Sequence, residues 1–187
     1  MNATRSFHRR DAGFSLIDML IVIALISIIA GIAVPAFGNL SESLKLASSA
    51  REVERELQTA RLKAVTSNRP IRVRFNCPVA GQYRVVELIG SVSVPHANDS
   101  ALNRCQESVY PYPAADREPL TRPNHDGPVR RLPDKVSFGA AANLEFRPDG
   151  TVRKVDGTAM PTEITVVKGT DVRKVTVNSL GKVTLVP

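Results

Sequence analysis

Residues Phe14 to Phe37 read FSLIDMLIVIALISIIAGIAVPAF, 24 residues in which Asp18 is the only ionisable side chain. As an α-helix the stretch is about 36 Å long against a hydrocarbon core of about 30 Å, so it is long enough to cross a bilayer with some tilt. Ahead of it Arg5, Arg9 and Arg10 outnumber Asp11. Short basic flanks stay in the cytoplasm, which predicts a single inner-membrane pass, N-terminus in and everything after Phe37 in the periplasm. The bland alternative is a secretory signal peptide cut after Ala36, since Val34 and Ala36 are small enough for the two positions before the cut. Against it, the apolar run exceeds a signal core of about 7 to 15 residues, and Asp18 would be an unexplained charge inside it. A carboxylate costs about 2.5 to 3.5 kcal/mol at mid-membrane, less near the cytoplasmic end, and generally has a partner or a function.

The whole chain of 187 residues, 43% hydrophobic and 23% charged, accommodates one modest domain with an appendage and excludes most multidomain enzymes. Its apolar content is too clustered for a disordered chain, and no internal repeat is visible. The net charge of +7 makes acidic partners such as nucleic acid or phospholipid headgroups electrostatically feasible without selecting one.

Beyond Pro35 and Gly38 the pattern changes. Leu40, Leu44, Ala47, Ala50, Val53, Leu57, Ala60 and Ala64 recur at steps of three or four, opposite Glu42, Lys45, Arg51, Glu54, Arg55, Arg61 and Lys63. That spacing predicts an amphipathic continuation of the same helix, wet on one side and packed on the other. Pro35 removes a backbone donor, so a bend near it is the physical expectation. Asn68-Arg69-Pro70 should end the helix, because the residue before a proline is pushed out of helical geometry. Seven strand-like runs follow: Ile71 to Phe75, Gln82 to Leu88, Leu144 to Arg147, Thr151 to Val155, Glu163 to Lys168, Val172 to Asn178 and Lys182 to Val186. Most alternate as half-buried strands do, and Asp149-Gly150, Lys168-Gly169 and Leu180-Gly181 supply turns for antiparallel hairpins. The expected fold class is α+β, one long N-terminal helix packed on a C-terminal antiparallel sheet domain. Between the strand groups, Val109 to Lys135 is rich in proline and reads as a loop excursion, in which Tyr110 and Tyr112 either pack locally or form a recognition platform.

Cys77 and Cys105 are the only cysteines. With both on the oxidising side of the membrane a structural disulfide is the default reading, worth about 3.5 kcal/mol in the loop-entropy picture. His96 and His125 do not stand at ligand spacing to them, so no metal site is expected. No HExxH, GxSxG or Walker loop occurs, Asp149-Gly150 and Asp156-Gly157 read as turns, and Glu52 and Glu54 as solvated helix charges. Neither catalysis nor a cofactor is expected.

Two groups of residues carry a resemblance. Gly13-Phe14-Ser15-Leu16-Ile17-Asp18, after a short basic leader and before an uninterrupted apolar helix, resembles the type IV prepilin signature. Phe146-Arg147-Pro148-Asp149-Gly150-Thr151-Val152 and Val175-Thr176-Val177-Asn178-Ser179-Leu180-Gly181-Lys182-Val183 are similar to the GspH/FimT family of minor pilins and pseudopilins. The resemblance implies a pilin-like fold and a subunit that helps assemble a type IV pilus or a type II secretion pseudopilus. It implies four segments: a leader at 1–13, a transmembrane and filament-core helix at 14–37, an amphipathic helix at 38–68, and a periplasmic β-rich domain at 69–187. A prepilin peptidase/methyltransferase would cut between Gly13 and Phe14 and methylate Phe14. Other major and minor pilins or pseudopilins and the inner-membrane lipid would be the remaining partners. Asp18, where the family generally has Glu, would neutralise the amino terminus of a neighbouring subunit; it keeps the charge and loses one methylene of reach.

Some FimT-like proteins are DNA receptors carrying a Gly-Arg-x-Arg motif near the C-terminus. Here the matching stretch is Gly181-Lys182-Val183-Thr184, with one cation kept as Lys and the other lost. Arg153, Lys154, Arg173, Lys174 and Lys182 remain candidate contacts to double-stranded DNA, in a segment of charge +6 from Asn39 on (22 Lys and Arg minus 16 Asp and Glu). A structural filament subunit is the first reading, a DNA-uptake module the runner-up and a secreted enzyme the third.

Overall fold

The computed structural model describes residues 15–91, 94–113 and 123–186, and the chain divides into two compact units between Glu42 and Ser43. Helix α1 (Leu16–Ser67, 52 residues) contributes to both.

In the first unit the window Leu16–Ala33 is apolar on every side and 0% buried. Leu, Ile and Met side chains from Leu16 to Ile32 leave more than half of their surface uncovered. A helix hydrophobic all round belongs in lipid or among other helices, and nothing in the described part of this unit covers it.

In the second unit α1 packs on two antiparallel sheets. The first contains β1 (Ile71–Phe75), β2 (Gln82–Glu87), β3 (Val129–Arg131), β5 (Leu144–Phe146) and β6 (Val152–Lys154), in the order β3-β2-β1-β5-β6. The second contains β4 (Ser137–Phe138), β7 (Thr162–Lys168), β8 (Asp171–Val177) and β9 (Val183–Val186), in the order β4-β7-β8-β9. Register follows burial: Val73 stands opposite Val85, Phe75 opposite Tyr83 and Ile164 opposite Val175, so the apolar sets of neighbouring strands share a face. The core joins these faces to Leu46, Ala50, Val53, Leu57, Ala60 and Ala64 of the helix.

Helix α1 stops where Asn68-Arg69-Pro70 says it should, by a specific device. Asn68 takes a left-handed φ of 51°. Its N–H donates to the Val65 carbonyl at 3.3 Å and the Arg69 N–H donates to Ala64 at 3.2 Å, the paired bonds of a Schellman cap. All seven expected strands are present within one residue at each end.

Three expectations are corrected. Leu40 and Leu44 are 53% and 59% exposed, and Leu46 is buried instead. At 3.6 residues per turn each step of three rotates a side chain back by about 60°, so Leu44, Ala47, Ala50 and Val53 wind through about half a turn. A run of threes looks like a stripe in sequence and is a spiral on the helix. Second, the excursion at Val109 to Lys135 contains β3, paired with β2; three residues with two arginines show no period. Third, β4 is a two-residue strand beside β7, too short for any sequence pattern. Residues 114–122 of the excursion lie outside the described residues.

The described part of residues 97–128 covers the outward side of the first sheet, and arginines hold it there. The alternation Ile-Arg-Val-Arg-Phe in β1 turns Arg72 and Arg74 away from the core, where Arg72 donates to the Asp99 carbonyl at 3.0 Å and Arg74 to that of Ala101 at 2.5 Å. Arg84 is 0% exposed and donates to the carbonyls of Gly127 (2.8 Å), Arg104 (3.0 Å) and Tyr110 (2.6 Å). Arg104, also 0% exposed, binds both oxygens of Asp126 at 2.6 and 3.0 Å, donates to the Glu87 carbonyl and lies 4.4 Å from the Tyr110 ring centre. Irregular backbone buried on a sheet must have its carbonyls satisfied, and a planar five-donor guanidinium does this for several at once. Cys77 and Cys105, joined in a disulfide with Cα atoms 5.5 Å apart, add a covalent tie at the same place.

Leu57→Ala should lower the unfolding free energy of the detergent-solubilised chain by about 2 to 5 kcal/mol, because Leu57 is 0% exposed. Leu44→Ala should change it by less than about 0.5 kcal/mol. Urea unfolding followed by circular dichroism checks both.

Candidate assembly and processing sites

The N-terminal site is built from the first turn of α1. Ser15 precedes the helix, and its hydroxyl oxygen accepts from the Ile17 N–H at 3.4 Å, while Asp18 Oδ2 accepts from the Ser15 N–H at 3.2 Å. The two side chains cap the helix reciprocally, and an acid in the first turn is favoured by the helix dipole. One backbone N–H compensates a carboxylate only partly. Inside an apolar assembly the remainder calls for a cation. Gly13 and Phe14 lie outside the described residues.

The second constellation unites the two C-terminal sequence stretches. They are about thirty residues apart in the chain, yet the Val152 N–H donates to the Ser179 carbonyl at 2.9 Å. Arg61, on the helix, reaches the turn between β5 and β6: its Nε donates to the Gly150 carbonyl at 3.2 Å. Gly150 has a φ of 82° and Gly181 one of 75°. A Cβ on Gly181 would lie 2.5 Å from Arg61 Nε and 2.6 Å from the Gly150 oxygen, so glycine is required there by space as well as by backbone. Asp149 completes the first turn by accepting from the Thr151 hydroxyl at 2.6 Å and the Thr151 N–H at 2.9 Å, and these bonds hold its carboxyl below the usual carboxylate range. Asn178 closes the second turn by accepting from the Lys182 N–H at 2.8 Å. This constellation locks helix and both sheets together; it presents no reacting group. Arg61 was missed in sequence because it looks like any other cation on the polar face.

The candidate DNA contacts come from three different elements. Arg153 and Lys154 belong to β6 in the first sheet, Arg173 and Lys174 to β8 in the second, and Lys182 to the turn before β9. Two are engaged: Arg153 pairs with Glu145 at 2.6 Å and Lys174 with Glu163 at 2.9 Å. Lys182 is exposed. Tyr110 packs against Arg104, whereas Tyr112 is 50% exposed. Among the described residues no group of three or more His, Cys, Asp or Glu stands where it could hold a metal ion.

The family model described as type II transport protein GspH matches residues 49–181. The chain belongs to this family. A second model, the prokaryotic N-terminal methylation motif, matches residues 8–34. The GspH-family chain is therefore a structural, non-enzymatic minor pilin or pseudopilin of a type IV pilus or type II secretion system, made as a prepilin for processing by a prepilin peptidase and for assembly with other pilins. Its exposed apolar helix is consistent with an inner-membrane prepilin before assembly. Solved structures similar to it include the type IV minor pilin FimU of Pseudomonas aeruginosa, at 18% identity over 75% of this chain and 92% of that one with a TM-score of 0.44. The minor pseudopilin EpsH of the Vibrio cholerae type 2 secretion system is another, at 13% identity over 76% and 96% with a TM-score of 0.45. No curated protein matches the chain.

For this GspH-family unit, Gly181→Ala should destabilise by about 2 to 4 kcal/mol, adding overpacking to left-handed strain. Gly157→Ala carries a similar φ of 76° but meets nothing within 4 Å, so it should cost about 1 to 2 kcal/mol. Urea midpoints of the two variants check the difference.

Proposed function

We propose that the chain is cut between Gly13 and Phe14, methylated on Phe14 and held in the inner membrane by residues 14–37 with its C-terminal part in the periplasm. It then enters a pilus or pseudopilus as a low-abundance assembly subunit. The observation that carries this is the first half of α1, apolar all round and uncovered, with one acid in its first turn. A released secretory protein has no use for a retained helix of that kind. Asp18 supplies the negative partner for the methylated amino terminus of a neighbouring subunit, and the solvent-facing second half of the helix carries the β-rich domain of residues 69–187. The Cys77–Cys105 bridge agrees with an oxidising compartment.

Gly13→Val should leave the leader in place and the chain in the membrane, read by intact mass, which also reports the added methyl and the disulfide. Asp18→Asn should be processed normally but fall by about tenfold or more in the sheared filament fraction, with Asp18→Glu retaining incorporation. A mature chain found in the medium without its first 36 residues would overturn the reading.

Double-stranded DNA uptake is the second reading, supported by charge and by Arg173 and Lys182, which have no carboxylate partner among the described residues. Arg153 and Lys174 speak against it, since their own carboxylates already engage them. The assembly reading expects no salt-dependent band shift of duplex DNA by the purified chain. A shift that disappears in Arg173→Ala, Lys174→Ala, Lys182→Ala would establish the second reading.

A further inference from the structure

In the second unit the core runs out at one end of the helix and leaves a notch. Ala47 and Arg51 of α1, with Arg173 of β8 and Leu185 of β9, line a surface cavity of about 310 Å³. The position of Arg173 is unusual. Val175 and Val177 are both 0% exposed and point at the helix; the two-residue period of the strand puts Arg173 on that same inward side, one step beyond the core. Leu185 stands opposite Val175 and shares the face. A guanidinium thus occupies an inward position, and a second one, Arg51, reaches the same cavity from the helix.

Neither has a carboxylate partner among the described residues, although other arginines of this unit do: Arg72 and Arg153 pair with Glu145, Arg104 with Asp126, and Arg130 with Glu56 at 3.1 Å. Two like charges lining one partly apolar cavity repel each other, and an anion between them removes that cost. Leu44, one and two turns before Ala47 and Arg51 on the same helix face, is 59% exposed. Strand β9 is the last of its sheet among the described residues.

We propose that this notch receives the carboxylate of an Asp or Glu side chain from the globular part of a neighbouring pilin subunit, clamped between Arg51 and Arg173. The charge complementarity selects an anion, and the size and lining select one carried on a short apolar stem. Ala47 and Leu185 can cover methylenes, whereas a duplex offers a row of phosphates and needs a row of unengaged cations. Lys174, next to Arg173, is paired with Glu163. An arginine pair closing on a carboxylate inside a ring of apolar contacts is the composition of an interface hot spot. The inference rests on the assembly reading and adds to it a contact in the globular unit, separate from that of Asp18.

The test uses the full chain in cells that build the filament, with a photo-crosslinking amino acid in place of Leu44. The expected product is an adduct with another pilin subunit whose linked peptide contains Asp or Glu. Arg51→Glu and Arg173→Glu should each reduce the adduct and the filament-bound amount by about tenfold or more, and reversing the partner acid to Arg should restore both. Unchanged urea midpoints show that the charge reversals leave the fold intact. An adduct insensitive to charge reversal, an adduct with DNA or lipid, or no adduct from a filament-bound chain would overturn the notch while leaving the assembly reading standing. A wild-type chain processed but absent from filaments would overturn both.

Discussion

The second unit depends on how closely two sheets can approach one helix. Ala50, Val53, Leu57, Ala60 and Ala64 form the seam, mostly small side chains, and all five are essentially inaccessible. The inward faces of β1, β5, β7 and β8 are buried in one core with this stripe. Every later feature inherits its place from that seam. It sets which face of β1 is inward and hence that Arg72 and Arg74 point outward, and it leaves Arg61 at the edge, where two tight turns close upon it.

A polar outward face on a buried sheet is costly unless its groups are matched, and this chain matches them with its own irregular backbone. Carbonyls of the segment around Asp99, Arg104, Tyr110 and Gly127 accept from Arg72, Arg74 and Arg84, and Asp126 accepts from Arg104. The disulfide closes the same segment onto the start of the β1–β2 turn. A stretch with few apolar residues is thereby ordered without a core of its own. The same economy takes Arg72, Arg84 and Arg104 out of the solvent-facing charge, since their guanidinium groups are engaged by carbonyls and carboxylates beneath the segment.

Function divides along the helix. Its first half has an apolar surface on all sides and a capping acid in the first turn; its second half is one-sided and carries a folded unit. An apolar helix continued into a folded β-rich unit is consistent with an inner-membrane prepilin, and the methylation motif and GspH match agree with it.

The apolar helix, the prepilin signature, the seven strands read from alternation and their glycine turns were legible in the amino-acid sequence, because each is a local matter of composition, period or turn chemistry. The helix stop at Asn68 was legible for the same reason. What only the tertiary structure decided was which residues meet. Leu44 and Leu46 differ in burial because two residues are about 200° apart around a helix, and the sheets cover the Leu46 side. Strands β3 and β4 exist because a partner strand offers hydrogen bonds; Val129-Arg130-Arg131 has no apolar alternation, and the two residues of β4 carry no period. Arg61 between Gly150 and Gly181, Arg104 on Asp126, and Arg51 beside Arg173 bring together side chains from distant parts of the chain. Such pairings arise when the core closes, and no local pattern encodes them.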